Sequence, residues 1–573
     1  MNNKLSVVFF YIILCNIIGF YSPSLVAQNT PNAGALQREF QLQLERSEAM
    51  PTSLPRPPDA ARTPMTTDQQ VEIRAFTYSG NTLITSNALN EALVKWTNRE
   101  VQLSELADIT SAIQDFYFKN GRLAAANIPP QEVINGVVLI QILEAKLGAI
   151  AVDPNDLKAA RFSPLRAQKY FLVRTSDSTF INVKNIERSL TLLNEVPGVR
   201  AEGAFEPGEA HGYSNFRVRL YDLPLTTGHM AASNYGSSST GSGQLIANLS
   251  VNNPFGLGEQ FGFDVIQSLG STYGQASYSL PVGFDGWRLG TTASYLTYGT
   301  LTSWSNTKAT GTATSFNLNT TYALLRSQSA NTNLRISLDN RNYVNQQLGL
   351  TVSDYQITSI TAGVAGNFFD TPRSNVSYSA GLVLGSLSMD NINQYAQDTG
   401  TAGTAGAYQK LSFSVGRMQA LESLPGTTWQ ISAYGQLATK NLNSAEQLYL
   451  GGPYAVRAYP VAQGGGSQGV VFSTELQHRL DRNWQVGVFA DIGLIQQYVA
   501  TFNDWRGLTN ADNTYALGAA GITTKFTYET INISAALAMR LGNNPLYTQT
   551  GQQLNADNAY RTVQAWLRAS WAF

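Results

Sequence analysis

From Thr226 to Phe573 the chain alternates apolar and polar residues with a period of two, and this limits the fold more than any other feature. Leu245, Ala247, Leu249 and Val251 alternate with Ile246, Asn248 and Ser250; Ile531, Ile533, Ala535, Leu537 and Met539 alternate with Asn532, Ser534, Ala536 and Ala538; and Val563, Ala565, Leu567, Ala569 and Trp571 alternate with Gln564, Trp566, Arg568 and Ser570. Successive side chains of a strand point to opposite faces, so each segment carries one apolar face. A soluble sandwich would alternate in the same way. Against it stand segments of about ten residues, the length of a membrane-crossing strand, an apolar face that continues to Phe573, and an export signal at the other end of the chain. Lipid offers no partner to backbone N–H and C=O groups, so such strands must close on themselves. The 348 residues from 226 onward, at about 22 per strand and connection, give roughly 16 strands. The expectation is a transmembrane β-barrel of about 16 antiparallel strands over 224–573, with outer-membrane lipid outside and a polar lumen within. Residues 306–313, 393–406 and 543–558 are polar and read as surface loops, and no stretch after 226 reads as an amphipathic helix.

Lys4, the apolar run 5–20 and Leu25-Val26-Ala27 before Gln28 read as a secretory signal peptide over 1–27. Cys15 lies inside it, so the mature chain has no cysteine for a disulfide or thiolate site. Without Lys4, 37 basic residues face 39 acidic ones, a net charge of −2 that gives no electrostatic case for nucleic acid. His211, His229 and His478 have no metal-ligand spacing, and HExxH and GxxxxGK are missing. Gly464 to Gly469 fits GxGxxG formally, but it precedes a strand where the dinucleotide motif needs a helix. No enzyme activity, metal or cofactor is therefore expected.

Residues 35–48 can form a helix with Leu36, Phe40 and Leu44 on one face. By amphipathicity it could lie equally in a pore or in the periplasm. Five prolines, Pro51, Pro55, Pro57, Pro58 and Pro64, make 51–70 an extended tether. Residues 71–146 read strand, helix, helix, strand, strand, with one strand over 71–77 and a helical stripe of Leu106, Ile109, Ile113 and Phe116; 147–223 repeat the scheme.

The segment Val456-Arg457-Ala458-Tyr459-Pro460 lies in a long loop between two strands. It resembles the Val-Arg-Gly-Tyr loop of the two-partner secretion transporters (the TpsB family) and of the wider superfamily that joins POTRA domains to a barrel, with Ala458 at the usual glycine. Ile128-Pro129-Pro130-Gln131, the strand ending at Glu144, Leu193-Asn194-Glu195-Val196-Pro197-Gly198-Val199, Asn253-Pro254-Phe255-Gly256 and Tyr278-Ser279-Leu280-Pro281 resemble further segments of the same family.

The resemblance implies an N-terminal plug helix over 28–50, two periplasmic POTRA domains at 71–146 and 147–223, and a lumen loop whose arginine meets the acid of a Phe-x-Asp strand. Phe489-Ala490-Asp491 matches that strand. Parity agrees: with Trp484, Val486, Val488, Ala490 and Ile492 toward lipid, Phe489 and Asp491 point inward, and Glu475 of the preceding strand is an alternative inward partner for Arg457. The implied function is type Vb secretion: outer-membrane passage of a large exoprotein (adhesin, haemolysin or contact-dependent inhibition toxin) captured by the POTRA domains. The barrel itself would be inserted by the barrel-assembly machinery. The alternative is an insertase, a barrel-assembly factor, which usually carries three or more POTRA units. A passive porin would not need 71–223.

Overall fold

Sixteen antiparallel strands, from Thr226–Ser233 to Val563–Ala572, close into one barrel in which each strand pairs with its neighbour in sequence and the last with the first. The computed structural model describes residues 32–573, apart from 49–69, 103–104, 155–159, 177–178, 304–307, 508, 549–550, 552 and 560. The expected signal peptide over 1–27 and all of the expected tether except Gln70 lie outside the described residues. Parity puts large apolar side chains on the outer face, where Val488, Ile492, Ile522, Leu537 and Met539 are exposed, while Asp491, Phe489 and Trp566 are buried on the inner one.

Barrel strands run from 8 residues (Thr226–Ser233) to 22 (Leu350–Thr371). At about 3.3 Å per residue the longest measures on the order of 70 Å, more than twice the ~30 Å hydrocarbon core. The wall therefore rises past the membrane on that side. This corrects two expectations. Part of 306–313 is not loop, because Ala309–Arg326 is one strand paired with Ala330–Gln347. The segment 393–406 contains a helix, Ile392–Thr399, capped by the Asn391 side chain, which accepts from the Asn393 and Gln394 N–H groups.

Helix α1 (Ala33–Glu48) lies inside the barrel. Leu36, Phe40 and Leu44 pack into a cluster with the wall residues Ile246, Ile266, Tyr273, Leu296, Tyr343 and Tyr355. Two of its polar residues are buried as well: Gln37 donates to Ser294 Oγ at 3.1 Å, and Gln43 to the Tyr235 carbonyl at 3.4 Å, while Glu45 is exposed. A polar lumen can bury both faces of an amphipathic helix, because hydrogen bonds replace those lost to water.

Two small α+β domains precede the barrel. In the first, β1 (Gln70–Ile73), β2 (Ala75–Ser79), α2 (Ser86–Ala92), β3 (Arg99–Gln102), α3 (Leu106–Lys119), β4 (Ala124–Asn127) and β5 (Val137–Glu144) follow in order. The sheet order is β2-β5-β4, with β2 parallel to β5. The expected single strand 71–77 is two strands, because β1 pairs with β3 and the chain changes partner at Arg74, whose N–H donates to Gly136 O. Helix α3 buries Ile109, Ile113 and Tyr117, with Leu106 and Phe116 half-buried against the same core, so the stripe is as expected and gains Tyr117. The second domain, β6 (Lys146–Pro154), α4 (Pro164–Thr175), α5 (Val183–Asn194), β7 (Val199–Pro207) and β8 (Tyr213–Asp222), repeats the order as β6-β8-β7.

The second domain sits on the turns at one rim of the barrel. Arg188 of α5 donates to the carbonyls of Ala323, Leu324 and Asp285, and Arg174 of α4 donates to the Asp285 carboxylate at 2.9 Å through NH2. Arg326 of the wall donates to Glu195 at 3.1 Å, and Tyr170 meets Phe284 edge-on at 5.5 Å. Burial alone would raise the Asp285 carboxyl, but the Arg174 and Arg188 guanidinium groups outweigh it and hold its pKa below the ordinary value.

Candidate functional site

The connection between the strands Thr427–Ala438 and Gln468–Arg479 folds into the lumen. A tight turn shapes its tip: Val456 N–H donates to Leu450 O at 2.8 Å, Tyr459 N–H to Val456 O at 3.1 Å, and Gly452 N–H to Tyr459 O at 3.1 Å. Val456, Ala458 and Tyr459 are all buried. Ala458 is not among the positive-φ residues, so the turn does not require glycine there.

Arg457 reaches the wall. Its Nε and NH2 donate to the two Asp491 carboxylate oxygens at 2.8 Å each, and its own backbone N–H donates to Asp491 Oδ2 at 3.2 Å. NH1 donates to Glu475 Oε2 at 2.6 Å, and NH2 also reaches Ser473 Oγ at 3.2 Å. The guanidinium stacks 3.4 Å above the centroid of Phe489, a cation–π contact in a desolvated place. Asp491 and Glu475, alternatives in the sequence, both bind the same cation. Each carboxylate is itself supported: Ser473 Oγ donates to Asp491, and Thr523 Oγ1 and Gln477 Nε2 donate to Glu475, all at 2.7 Å. Bidentate charge-assisted bonds of this kind fix geometry as well as supplying energy.

The family of haemolysin secretion/activation proteins ShlB/FhaC/HecB matches residues 212–524, more than half of the chain, and the ShlB-type POTRA domain matches 71–145. The chain belongs to this family. Its relatives include the heme/hemopexin transporter protein HuxB of Haemophilus influenzae strain 86-028NP, 24% identical over 91% of this chain and 93% of the relative. Another is the outer membrane transporter CdiB of Escherichia coli, 26% identical over 92% of this chain and 89% of the relative. The solved CdiB structure from E. coli superposes with a TM-score of 0.66 at 21% identity, covering 96% of this chain and all of that one. BamA of Haemophilus ducreyi, solved without its POTRA domains 1–3, is a more distant match in fold, with a TM-score of 0.51 and 14% identity over 88% of this chain. The barrel is thus an outer-membrane transporter with POTRA domains on its periplasmic side.

In this secretion protein, two groups near Arg457 and one elsewhere in its connection escaped sequence reasoning. Trp566 Nε1 donates to the Arg457 carbonyl at 2.7 Å, and Arg540 lies 4.5 Å over the Tyr459 ring. Earlier in the same connection, Glu446 is buried between Lys410 and Arg341, both in ion-pair contact with it. The inward parity of Trp566 was visible; its partner in a distant loop was not. Next to Glu446, Ala445 meets the start of α1, where a Cβ on Gly34 would lie 2.6 Å from Ala445 Cβ and 2.7 Å from the Tyr355 hydroxyl. Only glycine permits that approach.

Proposed function

We propose that this transporter passes one large, unfolded partner exoprotein through its barrel in two-partner secretion. The two periplasmic domains hold the cargo, α1 leaves the lumen to open the path, and Arg457 locks the loop that shapes it. The observation that carries this reading is a lumen filled by two separable pieces, a helix and a loop, each fastened to the wall by polar contacts that can be exchanged. The sheet edges at β2, β7 and, beyond its start bridged to Phe180, β6 can take an extended segment by strand addition. Folding of the cargo outside supplies the drive, since burial of apolar surface is the main favourable term in folding.

The test is to co-express the chain with the large exported product of the adjoining gene and to measure cargo in the medium. Cargo that appears only with this chain supports transport. If removing the chain instead depletes other barrels from the outer membrane, the insertase reading replaces it. Deleting either 71–146 or 147–223 is expected to abolish cargo capture while the barrel still inserts; retained capture would reduce them to spacers.

A further inference from the structure

The first and last barrel strands meet in the shortest register of the wall. Thr226–Ser233 and Val563–Ala572 share five pairs, from Arg568↔Ser233 to Ala572↔His229. The adjoining registers have eight, between Thr226–Ser233 and Gln244–Asn252, and nine, between Ile531–Leu541 and Val563–Ala572. Just above the five, a side chain replaces the ladder. The Asn234 amide donates to Ala565 O at 3.0 Å and accepts from Leu567 N–H at 2.9 Å, beside a backbone bond from Asn234 N–H to Leu567 O at 3.2 Å.

On the inner face of this seam sits the lumen loop. Trp566 donates to the Arg457 carbonyl at 2.7 Å and Arg568 NH1 to the Tyr454 hydroxyl at 3.0 Å, so two neighbouring inward residues of the last strand hold two residues of the loop. Tyr235, two residues beyond the first strand, stands edge-on to both Tyr454 and Trp566, with ring centroids 5.6 and 5.7 Å away. The loop therefore bridges three places. The Arg457 guanidinium grips Asp491 and Glu475, its carbonyl grips the last strand, and Tyr454 packs against the end of the first. Gln43 of α1 donates to the Tyr235 carbonyl, so the helix touches the same point.

We propose that the loop is a clasp on the barrel seam: Trp566 and Arg568 position the loop, and the loop in turn holds the first and last strands together. When it shifts, the seam keeps its five register pairs, the two backbone bonds between Gly228 and Phe573 and the Asn234 stitch, fewer than any neighbouring pair of strands, and the wall becomes most compliant there. The inference rests on the reading above only for the loop's movement during transport, and it is tested without cargo.

The test compares the full-length chain with its Tyr454→Phe variant, which keeps the ring and removes only the hydroxyl, and its Trp566→Phe variant, which keeps an aromatic ring and removes the indole N–H. Amide exchange is followed in the two seam strands and, as a reference, in Ala309–Arg326 and Ala330–Gln347. Seam exchange should be about fivefold faster in Trp566→Phe, the factor one lost neutral hydrogen bond is worth, and at least about tenfold faster in Tyr454→Phe, whose lost bond is to a charged group, with the reference strands unchanged and pore conductance in planar bilayers raised. Asn234→Ala, which weakens the seam but leaves the loop alone, should raise seam exchange and shows that the assay responds. Wild-type seam protection in both loop variants overturns the clasp, as does faster exchange spread evenly around the barrel. If Trp566→Phe fails to show heat-modifiable mobility, Tyr454→Phe, which alters no wall residue, decides alone.

Discussion

Arg457 is matched by two carboxylates, and the match is unequal. Asp491 takes both a bidentate fork and a backbone N–H, while Glu475 takes one guanidinium bond and shares its oxygens with Thr523 and Gln477. Removing one member of a buried ion pair costs about 3–5 kcal/mol because the remaining charge is stranded. Arg457→Ala strands two, so it is expected to free the loop and abolish secretion while heat-modifiable mobility stays intact; normal cargo in the medium would refute the role. Asp491→Asn should reduce secretion more than Glu475→Gln, and a reversed order would show that Glu475 carries the lock. A different carboxylate governs the first periplasmic domain. Glu144, at the end of β5, accepts from the Thr82 and Leu83 N–H groups at 2.9 and 2.7 Å, from the Tyr117 hydroxyl at 2.8 Å and from the Thr82 hydroxyl. Burial pushes its pKa upward, but these donors outweigh burial and hold it below the ordinary value. A lowered folded pKa contributes stability that is complete above the unfolded value of about 4.3 and is lost as pH falls through the lowered one. Glu144→Gln should therefore speed amide exchange in 75–144 at neutral pH, and its difference from wild type should shrink below about pH 4; a difference that persists there would remove charge from the explanation.

Helix α1 and the tip of the lumen loop show what element-level patterns contain. The stripe Leu36, Phe40 and Leu44 was plain from spacing, yet amphipathicity did not distinguish a lumen from the periplasm. Gly34 carries the missing information, because the helix start can approach Ala445 and Tyr355 only without a Cβ. Gly34→Leu is thus expected to unseat the helix start and raise open-pore conductance in planar bilayers, with the wall unaltered. Conductance equal to wild type would show that the seat tolerates a side chain. Along the wall, parity alone put Phe489 and Asp491 inward, since a one-residue slip would reverse every side chain. The helix Ile392–Thr399 escaped because its eight residues are mostly polar and its stability comes from a cap and loop contacts rather than an apolar stripe.

At the scale of the molecule, the barrel and its periplasmic domains are coupled through the arginines of α4 and α5. Arg188 satisfies three carbonyls of the barrel's rim, each charged-group bond worth about 1.5–3 kcal/mol. Arg188→Ala should broaden the pulsed-EPR distance distribution between a label on α4 and one on Trp287–Gly299, and an unchanged distribution would leave the docking to apolar contacts such as Tyr170 with Phe284. The sequence by itself determined the barrel, its strand number to within its soft spacing, the duplicated domain and the inward set, because local periodicity and the demand that lipid-embedded backbone pair internally act on each segment separately. Only the tertiary structure decided where α1 lies, that both acids share Arg457, and that the loop reaches the seam. Those depend on residues far apart in the chain meeting across a lumen, and period and composition carry no record of which inward side chain meets which.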